Sequence, residues 1–121
     1  MPKPKANRDD AYLHDMLEAA RLIRGYMRHV TFEQFLADNE KRDAVALRLS
    51  VIGEAASRIG TETQKALPSI PFQQIRGLRN RIVHDYGAID FKIVWRVTQV
   101  EISPLVRALE ARLTKKRSTR S

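Results

Sequence analysis

The sequence contains no cysteine, so it has neither disulfide bonds nor thiolate ligands for a metal ion. No apolar run approaches the ~20 residues that a membrane-spanning helix needs. The first eight residues, Met-Pro-Lys-Pro-Lys-Ala-Asn-Arg, lack the apolar centre of a secretion signal. Together these absences predict a cytoplasmic protein with no membrane partner.

Several kinds of catalytic site are also missing from the sequence. The five glycines are dispersed, so there is no glycine-rich loop to bind a nucleotide phosphate. No group of histidine, aspartate and glutamate has the spacing of metal ligands, and no serine has the neighbours of a catalytic triad. We therefore expect no metal ion and no other cofactor.

Positive charge is what the chain has in excess. The formal net charge is +8 and the isoelectric point about 10.3, which favours a polyanionic partner. Nucleic acid is the first candidate, ahead of a membrane surface or an acidic protein. With 121 residues, of which 43% are hydrophobic, the sequence predicts one helical domain over residues 8–113. Residues 1–7 and 114–121 are predicted to be basic, flexible tails.

Hydrophobic spacing predicts helices along nearly the whole chain. Apolar residues recur every three or four positions over residues 8–29 and 40–59, as in long amphipathic helices. Thr31 has the position of an N-cap for a short helix, 32–37, with Gln34 completing a capping box. No segment alternates with a period of two, so we expect an all-α fold, an antiparallel bundle of four or five helices.

The second half of the chain is predicted to form two further helices. One spans about 72–85 and follows an extended connection set by Pro68 and Pro71. The other begins after an Asp90 cap and is kinked or interrupted at Pro104. The side chains predicted to face inward on the third and fifth helices include Val45, Leu47, Leu49, Ile52, Phe91, Val94, Trp95, Val97 and Val100.

Small residues make the third predicted helix unusually slim at Gly53 and residues 55–57. A glycine inside a helix costs about 1 kcal/mol relative to alanine, so its presence predicts a close backbone contact that offsets this cost. The contact lies either within the monomer or across a dimer. We expect the neighbouring Glu54 to pair with an arginine.

Residues 76–86, Arg-Gly-Leu-Arg-Asn-Arg-Ile-Val-His-Asp-Tyr, carry the side chains best suited to catalysis. RNA has its own nucleophile, the 2′-hydroxyl, so its cleavage needs a proton acceptor, a proton donor and positive charge on the phosphorane. His84 can transfer protons near neutral pH, and Arg79 can hold two phosphate oxygens. Asn80 can orient the imidazole or hold a phosphate, and Tyr86 can bind substrate or be modified.

Helix geometry separates Arg79 from His84. Five residues turn a helix by about 500°, so the two side chains point about 140° apart. Either the long Arg79 side chain wraps round, or the helix ends near His84, or two chains combine their motifs. Asn80 lies four residues before His84 and shares its face, while Arg76 supplies a further cation for binding substrate.

The five-residue spacing of this arginine and histidine is not specific by itself. Arg24 and His29 have the same separation. Arg21, Arg24 and Arg28 also form a basic stripe on the first helix, which is either a solvated face or, if it flanks the later motif, part of an RNA groove. Only the later pair has an asparagine directly after its arginine and a tyrosine two residues after its histidine.

A longer series of segments, in order, resembles a known family. The segments are Tyr12-Leu13, Asp15, residues 48–55, residues 68–72, residues 75–80, His84-Asp85-Tyr86 and Val94-Trp95. Their core signature is an arginine, four residues, a histidine, one residue and a tyrosine, matched here by Arg79, His84 and Tyr86. Over roughly residues 8–110 the chain resembles the HepT-like branch of the HEPN domains.

The resemblance implies the toxin of a type VII-like toxin–antitoxin pair, an all-helical and metal-independent endoribonuclease. It implies a homodimer whose two motifs meet in a composite active site, with Arg79 and His84 catalytic and with Asn80 and Arg76 supporting substrate binding. It also implies a small nucleotidyltransferase antitoxin, which neutralises the toxin by transferring AMP from ATP to Tyr86.

Two other functions remain open from the sequence. One is a non-catalytic helical module that binds a nucleotidyltransferase and presents substrate to it, with Arg79 and His84 in the interface. The other is a nucleic-acid-binding bundle that uses Arg21, Arg24 and Arg28 and binds in a salt-sensitive way.

Overall fold

Helices account for most of the chain that the computed structural model describes, which is residues 5–84 and 87–118, with side chains for 8–84 and 87–114. No β-strand occurs within these residues. This part of the chain contains eight helices, which are α1 (Lys5–Tyr26), α2 (Phe32–Ala37), α3 (Asn39–Ser57), α4 (Thr61–Ala66), α5 (Phe72–Arg76), α6 (Leu78–Ile82), α7 (Phe91–Val100) and α8 (Ile102–Ser118). The predicted all-α bundle is confirmed, although short helices supplement its long ones.

The long helices form the core of the bundle. α1 packs against α3 and α8, and α7 packs against α8 and α3. The apolar stripes that periodicity predicted on α1 and α3 are buried, because each faces the other across this contact. Fully buried side chains of this core include Leu13, Met16, Ile23, Val45, Leu49, Ile52, Val94, Val97, Val106 and Leu109. No helix in the described part of the chain is both long and apolar enough to cross a membrane.

The predicted capping box at the start of α2 is confirmed. The backbone N–H of Gln34 donates to Thr31 Oγ1 at 3.1 Å, and the Thr31 N–H donates to Gln34 Oε1 at 2.9 Å. This cap places Phe35 in the core, where its ring lies 5.8 Å from that of Trp95 and 6.2 Å from that of Phe91. The two aromatic residues of α7, Phe91 and Trp95, are partly buried and pack against the core, on the inward side as predicted.

The slim part of α3 makes its close contact within the monomer. A Cβ atom on Gly53 would lie 3.4 Å from the carbonyl oxygen of Ile75 in α5, so the missing side chain lets α5 pack closely on α3. One inward assignment on α3 is wrong, because the Leu47 side chain is 58% exposed. Leu47 lies two residues from both Val45 and Leu49, about 200° around the helix from each, and so points away from the buried face.

The prediction of a single helix over residues 72–85 is wrong, because the structure has two shorter helices there. The helical segment is divided at Gly77, whose N–H donates to the carbonyl oxygens of Gln73 and Gln74 at 3.3 and 3.2 Å, and it ends at Ile82. The connection before it is also not extended, since the Ile70 N–H donates to the Leu67 carbonyl at 3.0 Å and closes a turn. α4 is absent from the sequence prediction, because five of its six residues are polar and the helix carries no apolar stripe.

The last predicted helix is interrupted as expected, but three residues before the proline. α7 ends at Val100 and α8 begins at Ile102, so Pro104 lies in the first turn of α8, where a missing N–H costs no helical hydrogen bond. Val100 is 59% exposed at this junction, which contradicts its predicted burial. The Asp90 cap is confirmed, since its carboxylate accepts from the Lys92 and Ile93 N–H groups.

We expect Gly53→Val to destabilise the protein by about 1–3 kcal/mol, because its added methyl groups must displace α5 from α3. Gly53→Ala should stay within about 1 kcal/mol of the native protein, since better helix propensity offsets a tight contact. Gly25→Ala is the matched control: nothing lies within 4 Å of its added methyl group, and it should stabilise the protein by about 0.5–1 kcal/mol. Urea unfolding measures all three, and equal values for the two Gly53 variants would contradict the close contact.

Candidate active site

A short loop after α6 carries the histidine of the motif. α6 ends at Ile82, and the chain reverses so that Val83 forms an isolated antiparallel bridge with Ile89. The His84 N–H donates to the Ala88 carbonyl at 2.7 Å, and the Asp90 N–H donates to the Ile82 carbonyl at 2.7 Å. These main-chain bonds fix His84 directly opposite the start of α7.

Glycine makes this reversal possible. The Gly87 N–H donates to the His84 carbonyl at 3.0 Å, and Gly87 has φ +77°, a left-handed conformation that side chains with a Cβ atom rarely adopt. Asp85 and Tyr86 lie between these two residues and outside the described part of the chain. The role predicted for Tyr86 therefore stays a prediction.

The side chain of His84 contacts the carboxylate that caps α7. His84 Nε2 lies 2.6 Å from Asp90 Oδ2, while Asp90 Oδ1 accepts from the backbone N–H groups of Lys92 at 2.9 Å and Ile93 at 3.3 Å. The His84 side chain is 59% exposed and the Asp90 side chain 21% exposed. The imidazole is thus held on one edge and open to solvent on another, as proton transfer to a bound substrate requires.

The surroundings of Asp90 change its acidity. Burial alone acts to raise the pKa of the Asp90 carboxyl group, but the hydrogen bond with His84 and those from Ile93 and Lys92 outweigh it. The net result is a pKa below its ordinary value of 3.8. Asp90 is therefore ionised at neutral pH and acts as a hydrogen-bond acceptor.

The lowered pKa of Asp90 predicts that the free energy of unfolding decreases at acidic pH. A carboxyl group with a lower pKa in the folded state stabilises the fold above its unfolded pKa, and this contribution is lost as the pH falls towards the folded value. We expect native protein to exceed Asp90→Asn in free energy of unfolding at about pH 6, with a narrower gap at about pH 3. Urea titrations at the two pH values measure the gap, and a gap that stays constant would contradict the prediction.

Arg79 and Arg76 line a groove between the motif and α3. The groove has a volume of about 450 Å³, and its α3 wall includes Gly53 and Glu54. The small residues of α3 therefore keep this space open beside the two guanidinium groups. Among the described residues, no ion-pair partner of Arg79 or Arg76 is found, so both guanidinium groups remain available for an anion.

The neighbouring arginine of the motif has a different role. Arg81 donates to both carboxylate oxygens of Glu101, at 3.0 and 2.6 Å, and so joins α6 to the junction of α7 and α8. This hydrogen bond with Glu101 raises the pKa of Arg81. Arg81 thus fixes the position of α6, whereas Arg79, two residues earlier, lines the groove.

The end of α6 at Ile82 changes the predicted relation between the motif residues. His84 lies beyond the helix, so the angle of 140° predicted between it and Arg79 does not apply. The sequence left three ways to bring the two residues together, and the structure shows one of them, a helix that ends near His84. The prediction that Asn80 and His84 share one face of a helix is wrong for the same reason. Asn80 is exposed on α6 and His84 is exposed on the loop.

The earlier arginine–histidine pair has no comparable site. His29 follows α1 with φ +59°, in the turn that leads to α2. Arg21 donates to Glu110 of α8 at 2.6 Å, and Arg24 and Arg28 are exposed. In the described structure, none of these three arginines is among the residues that line the groove beside Arg79.

Glu54 pairs with Arg58 at 2.9 Å, one turn further along α3, which confirms the predicted partner type and raises the pKa of Arg58. Within the described residues, no three side chains among histidine, aspartate and glutamate lie close enough together to hold a metal ion. The residue that the sequence did not place in the site is Asp90, which it identified only as a helix cap.

The chain is similar over most of its length to the members of one protein family. Residues 16–112 match the family described as Ribonuclease HepT-like. A probable ribonuclease HepT of Thermococcus cleftensis is 33% identical over 94 residues, which cover 78% of this chain and 86% of that protein. A putative RNase of Methanocaldococcus jannaschii is 31% identical over 100 residues, which cover 83% of each. No solved structure shows a significant match. The chain therefore belongs to the HepT-like family of ribonucleases, within the HEPN superfamily.

Proposed function

We propose that this protein is a metal-independent endoribonuclease and the toxin of a type VII-like toxin–antitoxin pair, acting on RNA in the cytoplasm. The observation that carries the proposal is the arrangement of the motif. Arg79 lines an open groove and has no ion-pair partner among the described residues. His84 follows five residues later, just beyond the end of α6, where its side chain is exposed and is held by Asp90. Membership of a ribonuclease family supports the same conclusion.

The proposed reaction uses the nucleophile of the RNA itself. The 2′-oxygen attacks the adjacent phosphorus, its proton passes to an imidazole, and the bond from phosphorus to the 5′-oxygen breaks. The leaving 5′-oxygen takes a proton from a protonated imidazole. The products are a 2′,3′-cyclic phosphate and a 5′-hydroxyl, with no net gain or loss of protons.

The motif residues divide this work between them. His84 transfers the protons, and Arg79 stabilises the negative charge of the phosphorane with two N–H donors. Arg76 lines the same groove and binds a phosphate of the substrate strand, and the exposed Asn80 supplies a neutral donor beside it.

We infer a homodimer with a composite active site. One imidazole per chain must both accept and donate a proton, whereas two chains that meet at the motif supply two imidazoles, one for each step. The groove beside Arg79 is open along the slim part of α3, and Leu47 is exposed on the same helix. These features support an interface along α3 that brings the two motifs together.

The proposed regulator is a small nucleotidyltransferase antitoxin. In this proposal the phenol oxygen of Tyr86 loses its proton and attacks the α-phosphorus of ATP, and pyrophosphate leaves. The product is an AMP group two residues from His84 in the sequence. Its phosphate adds bulk and negative charge where the substrate phosphate must bind.

The test of the proposed function is cleavage of a labelled single-stranded RNA by purified protein in excess EDTA. We expect cleavage, with 2′,3′-cyclic phosphate ends, and growth arrest when the chain is expressed alone. Salt-sensitive RNA binding without cleavage would instead support a binding bundle, and binding to a nucleotidyltransferase without cleavage would support a non-catalytic module. Either outcome would contradict the proposal.

A further inference from the structure

The carboxylate of Asp90 makes two kinds of contact, and only one of them concerns helix capping. Oδ1 accepts from the Lys92 and Ile93 N–H groups, which is the usual work of an N-cap. Oδ2 is not needed for that cap and instead lies 2.6 Å from His84 Nε2. A single side chain therefore joins the start of α7 to the imidazole of the motif.

Both ends of this contact are fixed by the main chain. The His84 N–H is bonded to the Ala88 carbonyl at 2.7 Å, and the Asp90 N–H is bonded to the Ile82 carbonyl at 2.7 Å. The loop therefore holds the two side chains in register before any substrate binds. Such prior fixation is what a residue that orients a catalytic group must provide.

The chemistry of the pair determines which nitrogen of His84 carries a proton. An ionised carboxylate can only accept hydrogen bonds, so Nε2 must be the donor to Asp90. A neutral imidazole with its proton on Nε2 has a free lone pair on Nδ1. We propose that Asp90 is a positioning residue that holds His84 in the Nε2–H tautomer, so that Nδ1 is the atom that exchanges protons with RNA. This role deepens the ribonuclease function proposed above and rests on it.

Asp90→Asn tests the role while keeping the helix cap. The amide oxygen of the new side chain can still accept from the Lys92 and Ile93 N–H groups, which turns its NH₂ group towards His84 Nε2. That nitrogen must then accept, so the proton of the neutral ring moves to Nδ1. The ring is neutral well above neutral pH, where its ¹⁵N chemical shifts can be measured. We expect Nε2 of His84 to have the shift of a protonated nitrogen in native protein and of an unprotonated nitrogen in Asp90→Asn, with Nδ1 changing in the opposite direction.

The chain offers internal references for this measurement. His14 and His29 are the other two histidines, and their ring signals should not change in Asp90→Asn. Asp38→Asn is the matched control, because Asp38 caps α3 by accepting from the Lys41 N–H at 3.0 Å and has no contact with His84. It should leave the His84 signals and RNA cleavage unchanged.

Cleavage by the same variants tests the catalytic consequence. We expect Asp90→Asn to lower kcat at least about tenfold with little change in KM, because RNA still binds but meets the wrong tautomer. If Asp90→Asn does not fold, Asp90→Ser keeps a capping oxygen that is too short to reach His84, and it should give a mixture of tautomers and a similar loss.

Two results would overturn the proposal. One is a native His84 ring with its proton on Nδ1, or an Asp90→Asn ring that keeps its proton on Nε2. The other is full cleavage by Asp90→Asn after the tautomer has switched. If native protein cleaves no RNA at all, the proposed function fails, whereas the ring shifts still decide whether Asp90 sets the tautomer of His84.

Discussion

His84→Ala should lower the rate of RNA cleavage by about 10²–10⁴-fold, because the variant has no group near the phosphate that transfers protons at neutral pH. The side chain is largely exposed, so its removal leaves no cavity and the protein should remain folded. RNA binding should change little, since the arginines of the groove remain. The loss therefore appears in kcat and not in KM.

Arg79→Lys should cause a similar loss of about 10²–10³-fold for a different reason. Lysine keeps the positive charge but loses the two parallel N–H donors that match two phosphoryl oxygens. Arg24→Lys and His29→Ala are matched controls, because they change the pair with the same spacing outside the groove. Both controls should retain full activity. Equal losses in motif and control variants would show that general charge, not the motif, determines cleavage.

A mixed dimer extends this prediction to the composite site. Native chains and His84→Ala chains with different affinity tags can be co-expressed, and the mixed dimer can be isolated by its two tags. Two independent sites would leave it with half of the native activity. A composite site that uses both imidazoles should leave far less, near the activity of the His84→Ala dimer. Cleavage at half of the native rate would contradict the composite site.

The sequence was sufficient to predict the helical fold and the family. Helical periodicity is local, so the buried stripe of α1 and the capping box at Thr31 could be read directly from residue spacing. Leu47 and Val100 were misassigned because hydrophobicity alone does not reveal which apolar residues face a partner element. The asparagine and tyrosine that accompany the arginine and histidine, together with the order of the segments before and after them, indicated the family, and the family match over residues 16–112 confirms it.

The local geometry of the candidate site could not be predicted in this way. At the end of α6, Val83 forms a bridge with Ile89 and the Ile82 carbonyl accepts from the Asp90 N–H, and both contacts cross a loop whose path residue spacing does not predict. The contact between His84 and Asp90 then follows from the reversal of the chain. An aspartate six residues after a histidine does not by its spacing indicate a contact between the two side chains. Helix capping was therefore the only role that the sequence assigned to Asp90.

Adenylylation of Tyr86 should reduce RNA cleavage at least about 10²-fold, to the level of the catalytic variants. The protein would be incubated with ATP and its nucleotidyltransferase partner, and intact mass would count the AMP units added. The physical reason is that a tethered phosphate occupies the cationic site that RNA needs. The tether makes its local concentration far higher than that of any free competitor. Removal of AMP by a phosphodiesterase should restore cleavage.

Tyr86→Phe separates the modification from simple binding of the partner. We expect this variant to cleave RNA, because the phenol oxygen takes no part in the proposed proton transfers, but to gain no AMP and to stay active with the partner and ATP. Tyr12→Phe and Tyr26→Phe, at the other two tyrosines, should still be modified and neutralised. If the partner silences Tyr86→Phe as fully as native protein, neutralisation works by covering the site rather than by adenylylation. If fully modified native protein still cleaves RNA, Tyr86 is not the switch.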